Sequence, residues 1–162
     1  MTAAEGNLLL EAQDVSYRYP DGSAGLDGCT LAIASGTRNA LLGANGAGKT
    51  TLLQHCNGLL RPASGEVRVH GTPLDYGRRG LHALRREVGM AYQDFKLLPE
   101  RTVADNIAIS MEVAYRAPVF IEKRTRELLD RLDLAKKYAT PAEELSRGEQ
   151  QRVSIARALA NF

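Results

Sequence analysis

Gly43-Ala44-Asn45-Gly46-Ala47-Gly48-Lys49-Thr50 fits the pattern G-x-x-x-x-G-K-[ST] of a phosphate-binding P-loop. The apolar run Ala40-Leu41-Leu42 precedes it and Thr51-Leu52-Leu53-Gln54-His55-Cys56 follows, the strand–loop–helix setting that the motif requires. Glycines let the loop's backbone N–H groups close around phosphate oxygens. The N-terminus of the next helix adds the positive end of its dipole. Lys49 is expected to reach β- and γ-phosphates and Thr50 to place its hydroxyl on Mg²⁺. A glycine-rich turn that binds nothing is the alternative.

Working outward, residues 38–42 read as the strand that feeds the loop and residues 49–60 as the helix that leaves it. Leu52, Leu53, Cys56 and Leu59 or Leu60 then point inward at helical spacing. Upstream, residues 8–19 alternate as a strand (Leu8, Leu10, then Val15, Tyr17, Tyr19), Pro20-Asp21-Gly22-Ser23 is a turn, and residues 26–34 form a second strand with Leu31 and Ile33 on one face. Downstream, residues 61–65 are a loop, 66–70 a short strand, 71–80 turn-rich, 81–86 a short helix and 88–93 a strand. Residues 102–116 read as a helix with Thr102 as N-cap and Asp105 three residues on, ended by Pro118. Ile121, Thr125, Leu128, Leu129 and Leu132 make the apolar stripe of another helix. Pro141 precedes a last helix from about Ser146. Early strands, a βαβ unit and then a helical block define an α/β fold with a helical insert, without internal repeats.

The 162 residues suffice for one domain with a small insert, and 44% hydrophobic residues is ordinary for a globular chain. A net charge of +2 names no partner. The pairs Arg78-Arg79 and Arg85-Arg86 are interrupted by apolar and acidic residues and read as solvated helix faces, so no nucleic-acid partner is expected. Cys29 and Cys56 form no C-x-x-C pair and read as small buried residues in a reducing compartment. His55 adjoins Cys56, but helix neighbours point about 100° apart, which argues against a metal site there. No run approaches the ~18 apolar residues of a membrane span. The opening Met1-Thr2-Ala3-Ala4-Glu5-Gly6-Asn7 lacks a charged-then-apolar export pattern. The chain is expected to be cytoplasmic and to span no membrane by itself.

A second phosphate-seeking feature lies far from the first. Ser146-Arg147-Gly148-Glu149 has the S-x-x-E form of a capping box, and a well-capped helix is the plain explanation of it. In context, however, Leu145-Ser146-Arg147-Gly148-Glu149-Gln150-Gln151-Arg152 resembles the LSGGQ/E-QQR signature of ATP-binding cassette (ABC) ATPases. Tyr19, before Pro20-Asp21-Gly22, is similar to the family's aromatic residue that stacks on adenine; otherwise it is a strand-end ring packed on the sheet. Gln93, in Ala91-Tyr92-Gln93-Asp94, is similar to the Q-loop glutamine that contacts Mg²⁺ or the attacking water; otherwise it is a polar residue at a strand end. The four features occur in the family's order and span nearly the whole chain.

The resemblance implies an ABC-type P-loop NTPase fold. Residues 1–93 would form an antiparallel β subdomain plus the P-loop core, 94–145 a helical subdomain and 146–162 the signature helix. It implies binding of ATP with Mg²⁺ by Tyr19, Gly43, Asn45, Gly46, Ala47, Gly48, Lys49, Thr50 and Thr51. Lys49 and Gln93 would be catalytic, and Thr50 and Gln93 would hold the metal. It also implies a head-to-tail dimer with a second ABC ATPase subunit. Each ATP then lies between one P-loop and the partner's Ser146, Gly148 and Glu149, and transmembrane partner subunits hold the dimer at the inner face of the cell membrane.

Three departures qualify these expectations. Arg147 stands where the family usually has glycine. No apolar run ending in Asp-Glu follows residue 152, so the expectation is a chain truncated before the Walker B aspartate and the catalytic glutamate, with little hydrolysis of its own. The two parts also resemble different subfamilies. Residues 38–43, 57–67 and 73–76 look like cobalt/nickel energy-coupling-factor importers. Residues 93–103 and 149–152 look like the cell-division ABC ATPase, with a changeover near Gln93 that a recombinant or designed chimera, a natural mosaic or simple divergence would each produce. The expected function is the ATP-binding subunit of a membrane importer of the metal-ion type. The alternatives are a non-transport regulator of a membrane complex, docking through residues 95–138, and a nucleotide-binding module without turnover.

Overall fold

The computed structural model describes residues 8–162; the segment in which no export pattern is read lies outside them. The described chain divides into two compact units, the first ending at Leu84 and the second spanning Arg85–Phe162.

The first unit is built on an antiparallel sheet of strand order β2-β1-β3-β4, with β1 at Leu8–Arg18, β2 at Ala24–Ala34, β3 at Ser64–Val69 and β4 at Thr72–Pro73. The β1–β2 hairpin closes where expected. Tyr19 and Ser23 pair across the turn, the Asp21 carboxylate accepts from the Ser23 N–H and hydroxyl, and Gly22 takes φ +85°. The alternation in β1 changes parity: Leu10 and Ala12 are buried, and then Val15. The register with β2 slips between Ala12 and Val15, and Asp14 there has φ +51°. One extra residue therefore restores the inward aim of the strand. Gly65 of β3 abuts this bulge so closely that a Cβ would stand 2.2 Å from the Asp14 carbonyl oxygen, and its own φ is +77°.

Helix α1, Lys49–Cys56, starts where expected and stops early. Asn57 caps it and Gly58 turns the chain at φ +70°. Its buried face is Thr51, Leu52, His55 and Cys56, which corrects the inward placement of Leu53 and Leu59; these are 45% and 46% exposed. Helix periodicity alone cannot choose between two overlapping stripes, and the ring cluster on β1 selects the one through His55. Cys29 is half-buried rather than buried; only Cys56 is in the core.

Two expected strands are absent among the described residues. Neither 38–42 nor 88–93 takes part in a ladder, and Leu42 is 88% exposed. A strand exists only where a neighbour supplies backbone partners, and no described segment pairs with either. Helix α2, Arg78–Glu87, begins earlier than the expected residue 81 and buries Leu84.

The second unit packs α3 (Val103–Val113), α4 (Pro118–Arg131) and α5 (Arg147–Leu159) around Val103, Ile107, Met111, Leu128, Leu129, Leu134, Leu145, Val153, Ala156 and Ala160. Thr102 and Asp105 cap α3 reciprocally, as their spacing predicts. Pro118 does not end α3. That helix stops at Val113, Tyr115 follows at φ +56°, and Pro118 opens α4, where its missing N–H costs nothing.

Candidate functional site

In the first unit the loop 43–48 leads directly into α1. Gly46 and Gly48 have φ of +80° and +83°, a conformation that L side chains resist. Gly48 also has no room for a Cβ, which would lie 2.8 Å from the Gly25 carbonyl oxygen, whereas a Cβ at Gly46 would meet nothing. Gly48 is the N-cap of α1 and supplies no side-chain hydrogen bond, and the first turn has no acidic residue. No protein carboxylate or side-chain cap therefore serves the amides at this helix start.

The Lys49 ammonium closes over the loop, donating to the Gly43 carbonyl at 2.8 Å and the Ala44 carbonyl at 2.6 Å. Gly43, Asn45 and Thr50 are exposed, while Thr51 is buried at the inner side of the same turn. Ala47 donates its N–H to the Ala44 carbonyl at 3.2 Å. A cation and a helix start without a side-chain cap, beside an open loop, are chemically suited to a polyphosphate.

Tyr19 sits at the same helix. Its hydroxyl is 2.8 Å from Thr51 Oγ1, and its ring meets the Tyr17 ring edge to face at 5.2 Å and 85°. The structure thus joins Tyr19 and the P-loop helix, which are distant in sequence.

Gln93, Ser146, Gly148 and Glu149 belong to the second unit. Gln93 is exposed in the turn that leads to Phe95 and Lys96, consecutive residues with φ of +59° and +49°. This backbone is held from α5. Arg157 donates to the Phe95 carbonyl at 2.6 Å and to the Lys96 carbonyl at 2.7 Å, and the Ser154 hydroxyl adds a bond to Phe95 at 3.3 Å. Asp94 and Lys96 pair at 2.6 Å. The Lys96 hydrogen bond holds the Asp94 carboxyl below its ordinary pKa, and the same bond raises that of the Lys96 ammonium.

At the start of α5 the Ser146 hydroxyl accepts from the Glu149 N–H at 3.4 Å. The Glu149 carboxylate accepts from the Ser146 N–H at 2.8 Å and from its hydroxyl at 2.7 Å. These bonds, the hydroxyl's first, hold the Glu149 carboxyl below the usual glutamate range. A Cβ at Gly148 would meet only Arg152 at 3.9 Å, so packing within this chain does not demand glycine there.

Three residues with structural weight escaped sequence reasoning: Arg157, Asn106 and His55. Asn106, fully buried in α3, bonds to both the N–H and the carbonyl of Leu98 at 2.7 and 2.9 Å, and His55 is fully buried in α1. For Asn106 and His55 the available signal was a polar side chain on the apolar face of a helix; Arg157, half-buried, offered none. Among the described residues no group of three or more His, Cys, Asp or Glu is placed to hold a metal ion, and no helix is long and apolar enough to cross a membrane.

Comparison with known proteins agrees with this geometry. The model of the ABC transporter family matches residues 26–161. The methionine import ATP-binding protein MetN of Caulobacter vibrioides is 43% identical over 154 residues, covering 94% of this chain and 46% of MetN. The cell division ATP-binding protein FtsE of Bacillus subtilis is 36% identical over 154 residues, covering 94% of this chain and 68% of FtsE. Among solved structures, CbiO1 of Clostridium perfringens, part of the ABC transporter complex CbiONQ, superposes with TM-score 0.81 at 34% identity, over 96% of this chain and 62% of CbiO1. The dimeric ATP-binding cassette MJ0796 in a post-hydrolysis state with ADP and Pi gives TM-score 0.86 at 30% identity, over 94% of this chain and 70% of MJ0796.

The fold is thus that of an α/β P-loop nucleotide-binding domain. The chain belongs to the ABC transporter family. It spans about half the length of the MetN relatives it matches.

Proposed function

We propose that this chain is the ATP-binding subunit of a membrane transport complex, gripping MgATP with the loop 43–48 and the first turn of α1. The observation that carries this is the uncapped α1 N-terminus with the Lys49 ammonium folded over the loop, a pairing of positive groups that suits an anion. Lys49 then exchanges the Gly43 and Ala44 carbonyls for β- and γ-phosphate oxygens. Gly43, Asn45, Gly46, Ala47, Gly48 and Thr51 line the phosphates, and Tyr19 offers its ring face to the base. The Thr50 hydroxyl, exposed at the start of α1, would hold a phosphate-bound Mg²⁺; the likeness of Gln93 to the Q-loop glutamine supports a role for it at that metal or at the attacking water. When bound, Mg²⁺ would neutralise charge on the β/γ-phosphates.

Ser146, Gly148 and Glu149 are proposed to meet the nucleotide held by a second cassette in a head-to-tail dimer; the dimeric state of the MJ0796 structure supports such a pairing. The open space over Gly148 is compatible with a phosphate approaching there. The helical region 95–138 is proposed to dock the transmembrane partner. It holds a cleft of about 600 Å³ between α3 and α4, lined by Ala104, Ala108, Tyr115, Ile121, Thr125 and Tyr138. That partnership would place the subunit at the inner face of the membrane.

The transported substrate is proposed to be a small solute taken up by the cell. The likeness of residues 38–43, 57–67 and 73–76 to cobalt/nickel importers favours a metal ion, and the MetN relatives favour methionine. A second reading, regulation of a cell-division complex, has the FtsE likeness behind it. Calorimetry with MgATP tests binding, and phosphate release on the same protein tests turnover. Loss of both in Lys49→Ala is expected. Full affinity in Lys49→Ala would overturn the site. Co-purification with a transport permease or with a division-complex membrane protein separates the two readings.

A further inference from the structure

We propose that Tyr17 and His55 are positioning residues for the nucleotide base, locking the Tyr19 ring to the helix that grips the phosphates. The proposal rests on Tyr19 as the base platform and deepens that reading.

Tyr19 lies at a hairpin corner, where secondary structure does not fix the direction of a ring. Side-chain contacts fix it instead. Its hydroxyl is tethered to Thr51 Oγ1 at 2.8 Å, and its ring is braced by Tyr17 in a T-shaped pair with centroids 5.2 Å apart. Tyr17 is itself confined. A Cβ on Gly25 of β2 would stand 3.0 Å from Tyr17 Cδ1 and 3.1 Å from Thr51 Cγ2, so the strand leaves no gap between the two. Behind Tyr17 lies the His55 ring, at 4.9 Å and 72°.

His55 is fully buried, and Nδ1 is 2.7 Å from the Thr51 carbonyl one turn back. A carbonyl only accepts, so Nδ1 carries the proton and the rotamer is set by the helix itself. Nε2 is buried with no hydrogen-bond partner. A leucine would fill this space without that desolvation cost. What the imidazole adds is a ring whose orientation is pinned to the helix backbone, presented to Tyr17.

The four side chains thus run as a closed circuit: Thr51 to Tyr19, Tyr19 to Tyr17, Tyr17 to His55, and His55 back to the Thr51 carbonyl. Thr51 is two residues beyond Lys49. The phosphate grip and the base platform are therefore anchored at one residue, and the platform is ordered before the base arrives. Pre-ordering removes a cost of binding that a mobile side chain incurs, and it acts on the base alone.

The test compares two ligands by calorimetry on the full chain: MgATP, which uses platform and loop, and inorganic tripolyphosphate, which uses the loop only. Tyr17→Leu and His55→Leu should each weaken MgATP by roughly two- to tenfold, the change expected when one ordered side chain becomes mobile. Tripolyphosphate affinity should stay unchanged, and Tyr17→Phe, which keeps the ring, should bind MgATP as the wild type does. Wild-type MgATP affinity in both leucine variants overturns the proposal, as does an equal loss for both ligands, which marks a general structural role. If Tyr17→Leu disturbs the fold, His55→Leu decides alone, judged by retained tripolyphosphate binding; if that variant also loses tripolyphosphate, the role is structural and the proposal falls. Tyr19→Ala separates the two levels: if it too leaves MgATP affinity intact, the platform reading itself fails.

Discussion

The guanidinium of Arg147 lies 5.8 Å from the centroid of the Phe95 ring, so the residue that departs from the family's glycine fastens the start of α5 to the turn after Gln93. An exposed cation–π contact contributes about 0.5–1 kcal/mol. Arg147→Ala should lower the urea-denaturation stability by that amount, and Phe95→Leu should make the same substitution nearly silent. An unchanged midpoint in Arg147→Ala would show that the contact carries no energy.

Asn106 is the larger structural liability. Its amide serves the Leu98 N–H and the carbonyls of Leu98 and Thr102, at 2.7, 2.9 and 3.0 Å, all in a fully buried position. Asn106→Leu removes these bonds and strands the Leu98 groups, which should cost about 1–3 kcal/mol in denaturant unfolding. A variant as stable as wild type would mean that the loop 98–102 rearranges to solvent at no cost.

Lys49 contacts only carbonyls of its own exposed loop, so replacing it should not harm the fold. Lys49→Ala should keep the wild-type melting curve and lose MgATP binding, because backbone amides alone do not neutralise the β/γ charge. Equal affinity by calorimetry would remove Lys49 from the site.

Tyr19→Ala should weaken nucleotide binding by roughly 1–2 kcal/mol, the scale of base–aromatic stacking. The Thr51 contact adds a term that the ring face alone does not carry. Tyr19→Phe should retain most affinity yet lose up to about 1 kcal/mol of stability with that hydrogen bond. Neutral outcomes for both substitutions would leave Tyr19 as a sheet-packing residue.

The α5 cap should be acid-sensitive. The folded pKa of Glu149 lies below that of an unfolded glutamate, through the Ser146 hydroxyl and then its N–H. The contribution of the charged cap is therefore fully present above about pH 4.3 and is lost as pH falls through the lower folded value. The stability gap between wild type and Glu149→Gln should be constant near neutrality and shrink in acid; a gap that widens as pH falls would contradict the assignment.

What the sequence determined by itself was local. The P-loop was legible because its glycine conformations, its lysine and its helix start lie within eight consecutive residues. The caps at Thr102 and Ser146 were legible because each is closed within three residues, as found. The hairpin turn at Pro20–Ser23 follows the same logic. Tertiary structure decided everything that needs a distant partner. Residues 38–42 and 88–93 have strand-like patterns but no described neighbour, and a ladder cannot form from one side. The buried stripe of α1 runs through His55 rather than Leu53, because the Tyr17 ring waits on β1. Arg157 reads as a surface cation until the Phe95 and Lys96 carbonyls, some sixty residues away, are placed beneath it. Backbone propensity and capping act over a single turn and are written in adjacent residues, whereas burial and hydrogen-bond partnership depend on which surfaces the folded chain brings together.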